Sequence, residues 1–339
     1  MAHITARHEF NRLFRNRRLI LLVRAGSTLA TCISFLAGTG ATPSNDDTKS
    51  ATTKAQGKKA ETVLFHFPED RSLGILQLHG SSGRTAKNLP ARGVLHVPRY
   101  PFIKLTINFE GSKDLSPLKK LPPDVITELN ISNLEIGDDQ CKYIAHLTGL
   151  KALNARGTDF TDRAIDDLFP LKQLIRISLS ETLVTGKVIP KLIRFTKLQD
   201  INFNSTNVGD EGLELLAQLP NLQILALGRT HITDKGVKKL SSLPALRALD
   251  LEFNSRIGDA SMAHLKKMNL ISLKMANTHM TSKSVKDLKQ MKSLTELVYS
   301  DRNFKPQEVN ELRRALPKCK LEEYVSRRDF PPELFAPLH

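Results

Sequence analysis

The sequence predicts an α/β solenoid. A curved parallel sheet lines its concave side, helices cover its convex side, and a small β cap closes the N-terminal end. Three observations predict it. An apolar residue recurs every 24 positions, at Leu129, Leu153, Ile177, Ile201, Leu225, Leu249, Leu273 and Leu297. A second follows two places later, at Ile131, Ala155, Leu179, Phe203, Leu227, Leu251, Met275 and Tyr299, and burial of alternate residues is the period of a strand. Between successive pairs lie apolar residues at helical spacing, such as Val237, Leu240 and Leu243. A strand–helix unit cannot bury its apolar face alone, so such units stack.

The chain begins with an address. Residues 1–41 hold six Arg and one acid, and the stretch from Asn16 to Asp47 runs basic, then apolar, then small. That is the plan of a signal peptide, with Ala41 a candidate cleavage position, or of a membrane anchor. Asn16-Arg17-Arg18 followed by Leu19, Ile20 and Leu21 resembles a twin-arginine export signal. The expected location is extracytoplasmic: periplasmic, secreted or membrane-anchored. Residues 42–61 are polar and predict a disordered linker.

The β cap is expected over residues 62–100, where "SLGILQLHG" and "ARGVLHVPRYPF" read as strands. The repeats are expected over 101–321, about eight plus one degenerate lead-in whose Leu105 and Ile107 stand 24 before Leu129 and Ile131. Residues 322–339 lose the period and read as a C-terminal cap or tail.

Within the unit, Thr158, Thr182, Thr206, Thr230, Asn254 and Thr278 form a polar column suited to backbone groups freed where the strand turns. Asp138, Asp162, Asp210, Asp234 and Asp259 form another, expected to cap helix N-termini. Gly186 and Ser282 replace that Asp in two units. Arg302 and Pro306 break the pattern in the eighth, which predicts short or irregular helices there. In the sixth unit Ile257 falls one place late, and the segment before Leu270 is one residue short. The insertion and deletion leave the strands in register.

This pattern, entered through "LPPDVITELNIS" and left through "LRRALPKCKL", resembles leucine-rich repeats of the strand-plus-helix, ribonuclease-inhibitor-like kind. The wider chain resembles exported bacterial leucine-rich-repeat proteins of the planctomycete sort, over residues 71–321. The resemblance implies a non-catalytic module that binds a protein partner through its concave face. Similar repeats serve in eukaryotes as substrate-recognition subunits of intracellular ubiquitin-ligase assemblies. That alternative needs an adaptor-binding helical domain before the array, where residues 1–61 read as an address and a tether.

Other chemistry is poorly supported. The sequence holds no P-loop, HExxH, GxSxG or CxxC motif, so neither catalysis, cofactor nor metal is expected. Gly80 to Thr85 reads as a hairpin loop. His231 and His279 share a column two units apart and read as exposed turn residues. The three cysteines, Cys32, Cys141 and Cys319, lie too far apart in a solenoid to pair. The net charge is +15, and the chain after residue 41 keeps 44 basic against 34 acidic residues, or +10. The absence of Trp and the 6% aromatic content argue against base stacking, and no nucleic-acid partner is expected. Lys238, Lys239, Lys266, Lys267, Lys283, Lys286 and Lys289 read as a basic, solubilising outer side.

The outward residues of the strands supply the candidate partner-binding face: Asn154, Arg156, Arg176, Asp200, Asn202, Asn204, Asp250, Glu252 and Lys274. A basic spot is expected at Arg156 and Arg176, and an acidic one at Asp200, Asp250 and Glu252. Such a face suits hydrogen bonds and charge pairs to a polar segment.

Overall fold

Fourteen strands are found among the residues that the structure, a computed structural model, describes: 62–81 and 83–325. The expected signal or anchor, linker and final tail residues lie outside that range. Twelve strands form one sheet, in the order β14-β13-β12-β11-β10-β9-β8-β7-β6-β5-β2-β3, and β1 and β4 form a separate antiparallel pair.

The repeat strands are short: β6 (Glu128–Asn130), β7 (Ala152–Asn154), β8 (Arg176–Ser178), β9 (Asp200–Asn202), β10 (Ile224–Ala226), β11 (Ala248–Asp250) and β12 (Ser272–Lys274). β5 (Phe102–Ile107) leads in, and β13 (Glu296–Ser300) and β14 (Lys320–Tyr324) close the array. Each pairs in parallel with the next at a register of 24, from Leu105↔Leu129 to Leu297↔Leu321. The sixth unit keeps this register because its extra residue is taken up in a loop: Arg256 is exposed, while Ile257 reaches the core.

The apolar ladder from Leu105 through Leu297 is buried, as is the second column from Ile131 to Tyr299. Burying one such side chain contributes about 1.5–3 kcal/mol, so the stack is held mainly by this spine. The polar column works as its position suggests. Thr158, Thr182, Thr206, Thr230 and Thr278 each donate through Oγ1 to the carbonyl three residues back, at 2.6–2.8 Å. Asn254 donates to the Leu251 and Leu227 carbonyls and accepts from the Thr230 N–H, tying two units together.

The Asp column does something other than expected. The N-caps are Thr185, Thr233 and Thr281, which accept from the N–H of Lys187, Lys235 and Lys283, while Gly137 and Gly258 cap without a side chain. The carboxylates reach into the following unit instead. Asp138 accepts from Thr161, Asp162 from Thr185, Asp210 from Thr233 and Asp259 from Thr281, each through both the backbone N–H and the hydroxyl, at 2.5–2.9 Å. Asp234 takes the Gly258 N–H at 2.9 Å and the Ser261 hydroxyl. A 24-residue circuit brings each Asp within hydrogen-bond reach of the turn that leads into the next unit's helical segment.

The convex side is built from single helical turns, such as Cys141–Ile144, Ile189–Leu192 and Val285–Leu288. The Gly186 unit is no shorter than its neighbours. The expected disruption at Pro306 is overturned: Pro306–Ala315 is the longest described helix. Proline at the first helical position lacks only an N–H that would go unused, and Glu308 reaches back to the Lys305 N–H at 2.8 Å.

At the N-terminal end, β2 (Gly74–His79) lies antiparallel to β5 and β3 (Thr85–Pro90) antiparallel to β2, so this hairpin continues the repeat sheet. Gly74 is required at the crossing, because φ is +147° and a Cβ would stand 1.9 Å from the Thr106 carbonyl oxygen. β1 (Thr62–His66) pairs with β4 (Val94–Pro98), and their Phe65 and Val97 join the same core as the repeats. At the other end, β14 carries the sheet through Tyr324, past the boundary expected at 321.

Candidate functional site

The strand residues that point away from the spine form the candidate site. Their register stacks Lys104, Glu128, Ala152, Arg176, Asp200, Ile224, Ala248, Ser272 and Glu296 in one row. Thr106, Asn130, Asn154, Ser178, Asn202, Ala226, Asp250, Lys274 and Val298 form the next row.

Eight of the nine sequence-predicted residues fall into two groups. Asn154, Arg176, Asp200 and Asn202 line one cleft of about 270 Å³ across β5–β9, together with Lys104, Glu128, Asn130 and Ser178. Arg176 spans to Glu128, two strands away, at 2.6 Å. Asp200 sits beside Arg176 in the register but is not its hydrogen-bond partner. Burial pushes the Asp200 carboxyl up to about 6, against the pull of Arg176. Arg156 lies outside this cleft, paired to Glu181 at 2.8 Å. The basic spot expected at Arg156 and Arg176 is therefore neutralised by two acids.

The second group lies towards the C-terminal end. Asn204 accepts from the Gly228 N–H at 2.6 Å and donates to Asp250 at 2.9 Å. Asp250 also accepts from the Glu252 N–H at 2.9 Å and is only 6% exposed, so its carboxylate is spent on the fold. Burial pushes Glu252 up to about 7, helped by Asp250, Glu296 and Glu322 and opposed by Lys274. Asn130, Asn154, Asn202 and Asp250 share one device: each side-chain oxygen accepts from the N–H two residues on.

Three features had weak or no signal in the sequence. Glu128 and Glu181 are the acids that hold the two arginines. A column at the strand ends has positive φ: Asn133, Gly157, Glu181, Ser205, Arg229, Phe253 and Asn277, again 24 apart. Only Gly157 and, more weakly, Asn133 and Asn277 could have pointed to it. These N–H groups bond the following unit, as Ser205 does the Gly228 carbonyl at 2.7 Å, and that demand holds bulky side chains in a left-handed conformation. On this rim Arg229 lies 4.2 Å from the centre of the Phe253 ring, and Phe253 meets Tyr324 edge-on at 5.3 Å.

His231 and His279 are exposed, and no group of His, Cys, Asp or Glu among the described residues is arranged to hold a metal ion. Cys141 is buried and Cys319 partly so; both thiols are free, and burial raises both, Cys319 to about 11.

A family described as Leucine Rich repeat matches residues 196–217 and 218–241. Among solved structures the chain is similar to an internalin from Listeria monocytogenes, at 18% identity, 63% coverage of this chain and a TM-score of 0.47. It is also similar to a leucine-rich-repeat protein from Leptospira interrogans, at 18% identity, 61% coverage and a TM-score of 0.44. It spans 65% and 62% of the lengths of those two chains. No curated protein matches the chain.

Proposed function

We propose that this leucine-rich-repeat solenoid is a non-catalytic module that binds a protein partner across its concave face, outside the cytoplasm or tethered to a membrane. The observation that carries the reading is the polar cleft across β5–β9, where Lys104 on β5, Glu128 on β6, Arg176 on β8 and Asp200 on β9 alternate in sign along one row, with Ala152 of β7 between the second and third. Paired strands stand about 4.8 Å apart, so a polypeptide laid across the row meets a charged group at intervals of about 5 or 10 Å. Fixed charges of both signs select the register of such a segment and penalise wrong partners. The location rests on the basic-then-apolar start of the sequence.

Crosslinked pull-downs from the native host test the binding face. The double variant Arg176→Glu, Asp200→Lys is expected to lose about 30-fold of a partner retained by the parent chain, the loss of a hot spot of roughly 2 kcal/mol. Equal recovery by both chains would remove the concave face from consideration. N-terminal sequencing of the host protein tests the location, and a mature chain starting near residue 42 is expected if the address is cleaved.

A further inference from the structure

The convex side of the fifth, sixth and seventh units is basic, as the sequence suggests, and the structure shows which of its charges stay exposed. Between Thr233 and Lys292 the helical segments and the residues that follow them carry nine lysines and three acids, Asp234, Asp259 and Asp287. Charge counting alone suggests a basic, solvated surface. The structure separates the two signs. Asp234 and Asp259 are half-buried and bonded to Gly258 and Ser261 and to Thr281 and Ser284 of the following units. Asp287, its side chain 13% exposed, is held by Lys266 at 2.9 Å. Lys239 and Lys289 are paired to Glu214 and Glu311. Lys235, Lys238, Lys267 and Lys286 are exposed and have no ion-pair partner among the described residues. Lys235 and Lys238 lie in Asp234–Leu240, Lys267 follows Met262–Leu265 by two residues and Lys286 lies in Val285–Leu288, three segments that pack one against the next.

We propose that this lysine face is a docking surface for an anionic lipid bilayer, leaving the concave face free on the opposite side. It is a second surface, and its existence does not depend on what the concave face binds. Two observations favour lipid headgroups over a nucleic acid. The exposed cations are lysines, compact point charges suited to a diffuse anionic layer, rather than arginine forks that grip individual phosphates. The helical segments of these three units also hold no Phe, Tyr or Trp on which a base could stack. A face formed by helical turns lying side by side suits a lamellar surface, and no described helix is long and apolar enough to cross it.

The test is co-sedimentation of the full chain with phosphatidylcholine vesicles, with and without phosphatidylglycerol as about a third of the lipid. Stronger partition onto the anionic vesicles is expected, weakening as salt rises. Each surface lysine contributes roughly fivefold, so the triple variant Lys238→Gln, Lys267→Gln, Lys286→Gln should lose about a hundredfold of that preference. All three side chains are exposed and bonded to no acid, so the variant should keep the parent's urea midpoint. Any apolar contribution from residues 1–41 is common to parent and variant and cancels in the comparison. Equal partition onto both kinds of vesicle, or an unchanged preference in the triple variant, would overturn the proposal. Displacement by a short DNA duplex at the same phosphate concentration would also overturn it, by showing an unselective polyanion surface.

Discussion

Asp210 shows what single residues do here. It lies in one unit and accepts two hydrogen bonds from Thr233 of the next, at 2.9 Å from the N–H and 2.6 Å from the hydroxyl. Truncation removes a charged acceptor and leaves a half-buried N–H with water as its alternative. Asp210→Ala is therefore expected to cost about 2 kcal/mol, read as a lower urea midpoint. Thr233→Val, which removes only the hydroxyl, should cost about half as much. A loss of under about 0.5 kcal/mol in Asp210→Ala would mean that the carboxylate column does not join the units. The left-handed column illustrates the opposite situation. There the backbone N–H is committed to the next unit and the side chain is tolerated: Arg229 and Phe253 occupy a conformation that Gly157 adopts without strain.

At the scale of elements, β9 and the turn that leaves β11 each half-bury a carboxyl group. Asp200 and Glu252 follow one another two strands apart, and burial raises the first to about 6 and the second to about 7. Both hold their protons to higher pH in the folded chain than in the unfolded one, where carboxyls titrate near 4. The folded state therefore binds more protons between about pH 4 and pH 7, and these two groups make stability fall as pH rises through that window. The double variant Asp200→Asn, Glu252→Gln should flatten the fall and gain stability at pH 8, as measured by urea unfolding across pH. A parent chain whose midpoint rises from pH 5 to pH 8, with a slope the substitutions leave unchanged, would contradict the burial argument. The helical turns teach a different lesson. Pro306 broke the repeat pattern as a sequence feature but starts the longest described helix, because a proline at a helix start costs nothing there.

At the scale of the described solenoid, the spine makes neighbouring units interdependent. Leu225 is fully buried, with Ile201 and Leu249 as its register partners on either side. Leu225→Ala is expected to cost about 2–5 kcal/mol. Because each repeat contacts only its neighbours, the loss should appear first in the amide exchange of β9, β10 and β11, leaving β5 and β14 near parental protection. Uniform loss of protection along all ten parallel strands would instead show a single cooperative block. The same arrangement gives the array two unlike sides: a polar concave row of mixed sign, and a convex face whose acids bond neighbouring units while Lys235, Lys238, Lys267 and Lys286 stay exposed.

The 24-residue period, the alternation of Leu225 with Leu227, and the loop that absorbs Arg256 were legible in the sequence because burial is periodic and local. A parallel sheet with one buried face leaves the residue order few other choices. Glu128 and Arg176 pair across 48 residues, Asp210 caps nothing in its own helix, and Asp287 turns towards Lys266. None of these could be read from the order of residues, because each depends on which side chain the neighbouring unit brings within 3 Å. Linear spacing fixes the face on which a side chain lies. The partner it meets there is fixed by a second segment of chain, and only the folded stack brings the two together.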